Sequence, residues 1–327
     1  MSTEQPAGKR IISDDAFCAG ATSPGIHPAV EGGRAMGEVA LVGGGPGAAD
    51  LMTVRARDVL AAADVVYYDR LAPTDELRAW APQAALFDVG KRPGHHRITQ
   101  ENIHAMMIAS ARAGQRVVRF KGGDPFVFGR GCEEVAACRE AGIPVTVVPG
   151  VTSAVAVPAA AGIPVTARGV TRAFSVISGH DPLSEEEFAS LVGLGGTIVI
   201  LMGVGTLGHT VEGLRRHGLP ATTPVGIVEN GYSRQQRVSV ASLEDVLGVA
   251  ASRRVSSPAV LVIGEVVRLA APGPLAGEAV VDRYAAAKTR HAILEAAAAA
   301  GVGEGRAFPA ADHAAAPQWT PDVRAGA

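Results

Sequence analysis

Cysteine is scarce in this sequence: Cys18, Cys132 and Cys138 are the only three among 327 residues. They form neither a disulfide framework nor the paired spacing of a metal site. This excludes a disulfide-stapled secreted scaffold and points to a reduced, cytoplasmic protein with no metal. Cys132 and Cys138 fall within one helical stretch, where small thiols serve packing. Long apolar runs are missing too. None reaches the roughly 18 residues of a membrane span, and the first 36 residues lack the charged start and apolar core of an export signal, so no membrane partner is expected. There is also no excess of one charge. Lys and Arg number 30 against 32 Asp and Glu, a net charge of −2, which gives no general attraction to nucleic acid. No repeat of fixed period is evident, which excludes a solenoid.

What is present is enough apolar material, 47% of residues, to bury a large core, and a length that suits about two domains of ~150 residues. Residues 1–37 are rich in Gly, Pro, Ser and Ala and are expected to form a disordered leader. From residue 39 onward strands and helices alternate. The pattern predicts strands over 39–42, 64–68, 85–89, 116–120 and 145–148, and helices over 54–63, 100–113, 133–141 and 153–161, with Thr53 and Thr99 as N-caps. Such alternation implies right-handed crossovers and a mainly parallel sheet. A second set of strands is expected over 173–178, 197–201, 223–228, 236–241 and 259–263, with helices over 206–217 and 243–250. The expected division is therefore an N-terminal α/β domain over 38–166 and a C-terminal α/β domain over 167–270. Residues 271–327 make an Ala, Gly and Pro rich tail, partly helical over 281–300 or disordered.

The most informative stretch is Lys121-Gly122-Gly123-Asp124-Pro125-Phe126-Val127-Phe128-Gly129-Arg130. Paired glycines let the backbone turn steeply and approach a ligand, the aspartate accepts hydrogen bonds, and the two aromatics can wall an apolar slot. The loop follows a strand, and ligands of open α/β sheets bind at that end. A second glycine-rich turn, Gly43-Gly44-Gly45-Pro46-Gly47, sits upstream in a similar place. It departs from the dinucleotide fingerprint, and Pro46 removes a backbone donor, which favours a ligand without phosphates. Charge is unevenly spread: between Leu86 and Arg172 eleven Lys and Arg stand against six acids, a local excess of five. Guanidinium groups beside a cleft suit a polycarboxylate or phosphate, although a solvated basic face has the same composition.

Five segments together resemble the uroporphyrinogen-III C-methyltransferases, within the S-adenosylmethionine-dependent tetrapyrrole methylases. They are Val42 through Gly47; Ala63-Asp64-Val65-Val66-Tyr67-Tyr68-Asp69-Arg70-Leu71; Val89-Gly90-Lys91-Arg92; Val118 through Gly131; and Val148-Pro149-Gly150-Val151-Thr152-Ser153. Leu201-Met202-Gly203, Val228-Glu229-Asn230-Gly231 and Ser257-Pro258-Ala259 continue the resemblance to about residue 268. It implies two α/β domains with the cofactor in the cleft between them, commonly in a homodimer. The implied cofactor site comprises Pro46, Gly122, Gly123, Asp124, Val127, Thr152, Ser153, Met202 and Gly231. Asp69 and Lys91 match the proton-handling pair, as acceptor and donor. Arg70, Arg92, Arg119, Lys121, Arg130, Arg168 and Arg172 are the candidates for the substrate's carboxylates. Gly44 and Ala48 depart from the pattern, where many relatives carry an alanine and an acid.

The implied chemistry is methyl transfer from a sulfonium to an electron-rich pyrrole carbon at C2 and C7 of uroporphyrinogen III. The products are precorrin-1 and then precorrin-2, which lead to sirohaem or cobalamin, with S-adenosylhomocysteine released. Alignment of the reactants outranks acid-base work in such a step, and a carboxylate such as Asp69 suits the later loss of a proton. No further domain with a dinucleotide-binding turn precedes residue 39, so a single-activity methylase is expected. The alternatives are a methylase of a later corrin precursor, a non-catalytic protein that binds S-adenosylmethionine, and a nicotinamide-dependent oxidoreductase.

Overall fold

The computed structural model describes residues 36–74, 76–90 and 98–270. The expected tail helix over 281–300, most of the leader, Cys18, Lys91 and Arg92 lie outside them. Two five-stranded sheets form the frame. The first holds β1 (Glu38–Gly43), β2 (Val65–Tyr68), β3 (Ala85–Asp88), β4 (Arg116–Lys121) and β5 (Val145–Val148). Its order is β3-β2-β4-β1-β5, with every neighbour parallel.

Successive residues of these strands face opposite sides, and both sides are covered, as a parallel sheet requires. Ala40, Val42, Val66, Val118 and Phe120 pack against α1 (Val54–Ala61) and α2 (Leu77–Trp80). Val39, Leu41, Val65, Tyr67 and Val117 pack against α3 (Gln100–Arg112) and α4 (Gly131–Glu140). Thr53 and Thr99 do cap α1 and α3, their hydroxyls accepting the amides of Ala56 and Asn102. Cys138 lies inside the α3/α4 layer, and burial, with Glu134 nearby, pushes its thiol up to about 11, so it packs and does not react.

The second sheet holds β6 (Phe174–Ser178), β7 (Thr197–Leu201), β8 (Pro224–Glu229), β9 (Arg237–Ser242) and β10 (Ala259–Ile263) in the order β6-β7-β10-β8-β9. Only β6 and β7 are parallel; the other pairs are antiparallel. Ile198, Ile200, Val225, Ile227 and Leu261 pack on α6 (Glu185–Leu194), α7 (Leu207–Arg216) and α8 (Val246–Ser252). Neither α2 nor α6 was among the expected helices. For α6 the signal is nonetheless in the sequence, since Ser184 and Glu187 form a capping box with both reciprocal bonds made.

The other face of the second sheet is covered by a helix of the first half, α5 (Ser153–Ala160). This helix carries no charged residue and buries Ala154, Ala156, Val157, Pro158 and Ala160, leaving Val155 and Ala159 exposed. Its Ala154 and Val157 share one buried cluster with Val199, Leu201, Val228, Val260 and Val262. An apolar seam thus joins the two sheets, with α5 as its centre.

Candidate active site

All strands of the first sheet run the same way, so Gly43, Tyr68, Asp88, Lys121 and Val148 end along one edge. The two glycine-rich loops leave from there and join: Gly123 N donates to Gly45 O at 2.6 Å, and Gly45 N to Gly123 O at 3.2 Å. The strand ends are tight enough to demand glycine. A Cβ on Gly43 would lie 2.5 Å from Gly150 N and 2.7 Å from Gly123 O. Gly123 and Gly47, both at positive φ, are less crowded, and a Cβ on either would make only ordinary van der Waals contact. The nearest atom to a Cβ on Gly123 would be Ser153 N at 3.8 Å, and on Gly47 it would be Gly231 O at 3.6 Å.

The implied cofactor residues come together along this seam. Gly123 stands opposite Thr152 and Ser153 at the start of α5, where Thr152 caps the helix through Ala154 N, while Gly122 lies against Leu71. Gly231 leaves β8 and packs on Val157 of α5, facing Gly47. Val127 packs on the buried cluster that unites α5 with the second sheet. Met202 ends β7 at positive φ, next to the edge row formed by Ala259 and Glu229. Asp124 serves the loop first: its Oδ1 accepts Phe126 N at 2.8 Å and its Oδ2 accepts Gly150 N at 3.1 Å.

Asp69, just past β2, lies beside these loops with its side chain 29% exposed. Behind it is a cluster that the sequence reading did not assemble. Arg119 Nη2 donates to Asp69 Oδ1 at 2.7 Å, and Arg119 Nε to Glu134 Oε1 at 2.9 Å. Lys121 Nζ lies 3.1 Å from Glu134 Oε2 and 3.9 Å from Asp69 Oδ2. Burial alone would pull the Arg119 guanidinium down, but the Asp69 and Glu134 carboxylates together hold it above its ordinary range. Burial, then the charge of Arg119, draws the Lys121 ammonium below its ordinary range despite Glu134 and Asp69.

This corrects two assignments. Arg119 and Lys121 are 2% and 4% exposed and committed to internal carboxylates, so they do not present free cations to a substrate. Period-2 alternation is the reason: residues 117, 119 and 121 share the strand face that looks into the α3/α4 layer. Two cations at that spacing on a strand buried on both faces call for a buried anion, but the spacing does not say which acid supplies it. Among the other cationic candidates, Arg70, Arg130, Arg168 and Arg172 are exposed. Arg130 is bound to Glu133 at 2.9 and 2.6 Å. Arg168 and Arg172 lie on the connection to β6, at the turn closed by the Ala167–Thr171 bridge.

A parallel sheet whose glycine loops meet a mixed sheet across one apolar helix defines a two-part α/β protein with its polar groups gathered at the seam. The chain belongs to the Tetrapyrrole (Corrin/Porphyrin) Methylases, whose family profile matches residues 38–247. It is 46% identical over 237 residues to the S-adenosyl-L-methionine-dependent uroporphyrinogen III methyltransferase of Methanosarcina barkeri, covering 71% of this chain and 93% of that one. The chloroplastic protein of the same description from Arabidopsis thaliana is 44% identical over 239 residues, covering 71% and 64%. The chain spans about half the length of the sirohaem synthases it also matches. Among solved structures, the uroporphyrin-III C-methyl transferase of Thermus thermophilus complexed with S-adenosylhomocysteine aligns with a TM-score of 0.57 at 40% identity, covering 71% of this chain and all of that one.

Proposed function

We propose that this chain transfers methyl groups from S-adenosylmethionine to C2 and C7 of uroporphyrinogen III, giving precorrin-2 by way of precorrin-1. The observation that carries the reading is the meeting of Gly45 and Gly123 at the edge where Thr152, Ser153 and Gly231 also gather. The relatives named above support it.

The residues present fit the cofactor. Gly123 and Gly47 sit at positive φ, where glycine lets the backbone come close to a ligand, and Pro46 withholds an amide that a phosphate would want. Ser153 N, the first amide of α5, suits the carboxylate of the methionine part. Pro46, Gly122, Gly123, Asp124 and Val127 would line one side, and Thr152, Ser153, Met202 and Gly231 the other. When bound, the cofactor supplies an electrophilic methyl group on a sulfonium.

The chain's own work is then alignment and proton handling. Leu71, beside Gly122, and Phe126 are 61% and 57% exposed, large apolar groups at the site's edge that suit a tetrapyrrole ring. Arg70, Arg168 and Arg172 carry exposed guanidinium groups for its carboxylates, and Arg130 would exchange its exposed Glu133 partner for one. Asp69, held by Arg119, accepts the proton that the methylated ring sheds. Lys91 is proposed as proton donor on the family resemblance. We extend the proposal to a homodimer in the cytoplasm, in which the exposed Phe126 and Phe128 would lie against partner or substrate. Among the described residues no helix is long and apolar enough to cross a membrane.

The test is an anaerobic assay of purified protein with S-adenosylmethionine and freshly generated uroporphyrinogen III, followed by mass. Gains of one and then two methyl groups are expected. Cofactor binding without methyl gain overturns the substrate assignment. A second reading, a later corrin precursor, has one observation in its favour: cobalt precorrin-4 methyltransferase aligns with a TM-score of 0.62 at 26% identity. Competition between the two substrates separates them.

A further inference from the structure

Glu134 is 0% exposed, yet it is charged chemistry in an apolar layer among Met107, Val135 and Cys138. Burying an ion costs several kcal/mol before any partner is counted, and an apolar set of the same volume is often as stable. The packing of α4 on the sheet therefore does not require it. What Glu134 does hold is specific. Its Oε1 accepts Arg119 Nε at 2.9 Å, Gln100 Nε2 at 3.0 Å and Lys121 Nζ at 3.2 Å, and Gln100 is held in turn by His104 at 3.1 Å. Arg119 Nη2 donates to Asp69 Oδ1, and its Nη1 to the carbonyls of Tyr67 and Phe120. Four side chains with two charges of each sign thus form a neutral chain from the interior to the site's edge, and only Asp69 reaches solvent.

We propose that Glu134 is a positioning residue: it seats Arg119 and Lys121 behind Asp69 and so fixes the carboxylate that handles the proton. The inference rests on the function proposed above. Without the Glu134 charge, two buried cations face one carboxylate. Lys121 then competes with Arg119 for Asp69, and the geometry of the exposed oxygen is lost.

The test compares wild type with Glu134→Gln and the double variant Glu134→Gln/Lys121→Met, measuring kcat, KM and S-adenosylhomocysteine affinity. Gln keeps the shape and one acceptor but removes the charge. The expected result is a fall in kcat of about tenfold or more, as for a misplaced catalytic group, with KM for the cofactor and affinity within about twofold of wild type. The double variant, in which the cluster is neutral again, should recover most of the loss. A role in packing alone gives no such rescue. Unchanged kcat in the single variant, or a double variant no better than the single, overturns the proposal. If Glu134→Gln does not fold, Gln100→Leu replaces it, since it frees Glu134 from α3 and leaves every charge in place; several-fold lower kcat is expected, and none lost overturns it. If wild type methylates no tetrapyrrole, the functional reading fails by itself, and a crystal structure of Glu134→Gln decides the positioning. An Arg119–Asp69 pair still within about 3.5 Å there, the outer hydrogen-bond limit, overturns it; a broken pair supports it.

Discussion

Arg119 Nη2 meets Asp69 Oδ1 at 2.7 Å, so the carboxylate at the edge of the seam is held from behind by a guanidinium that solvent does not reach. Removing one member of a buried pair leaves the other charge uncompensated and costs about 3–5 kcal/mol. Arg119→Met is therefore expected to lower unfolding free energy by that order, read by denaturant titration. Arg119→Lys is not a conservative exchange, because an ammonium cannot bridge Asp69 and Glu134 as the planar fork does. It should stay folded but lose most of the proposed turnover. Wild-type turnover in Arg119→Lys would show that Asp69 needs no such hold.

Asp124→Ala removes the acceptor for Phe126 N, a bond within the binding loop, and for Gly150 N, the bond that ties the loop to the turn before α5. Hydrogen bonds to a carboxylate are worth about 1–3 kcal/mol, the lower end applying to the exposed Phe126 amide. S-adenosylhomocysteine affinity by calorimetry should fall roughly five- to 150-fold, the same energy expressed as a ratio. A lowered melting temperature with unchanged affinity would make Asp124 a loop anchor only.

Much of this was legible in the sequence, for identifiable reasons. Strands such as Val39-Ala40-Leu41-Val42 are continuous apolar runs bounded by glycine, and Thr53 and Thr99 announce their helices, so the first sheet and the helices on it other than α2 could be read locally. The seam could not. Which sheet covers α5, and that Gly231 faces Gly47, depends on contacts far apart in the chain. Arg119 and Lys121 were misread for a related reason. Their shared strand face is visible as a spacing of two, but not the direction in which α4 turns Glu134. Composition counted Glu134 among the acids, and only packing places it between the two cations.

Two glycine positions should separate sharply. A Cβ on Gly44 would sit 2.8 Å from both Phe120 Cζ and Pro73 Cδ, side-chain atoms of two buried residues and not backbone carbonyls or amides. Gly44→Ala, which restores the alanine of the family pattern, should cost about 1–3 kcal/mol by overpacking. A Cβ on Gly150 would overlap the Gly123 carbonyl and the backbone of Gly43, which cannot move without opening the loop junction. Gly150→Ala should cost well more than Gly44→Ala and abolish cofactor binding. Equal melting temperatures for the two variants would show that the junction is looser than this packing implies.

Acid should reach the second half of the chain through Glu185. Hydrogen bonds from Arg216 and then His217, the first at 2.5 Å and the second at 2.8 Å, hold its carboxyl at about 2, against an ordinary 4.5. A depressed folded value means that the contribution to stability is fully present above the unfolded value and is lost as pH falls through the folded one. The window therefore runs from about 4.5 down to about 2. These side chains are exposed, so the effect is small and is screened by salt. Glu185→Gln should track wild type in melting temperature below the window and lie slightly under it above pH 5, at low ionic strength. Parallel curves across the whole range would show that the pair, although it ties α7 to the start of α6, contributes nothing to folding.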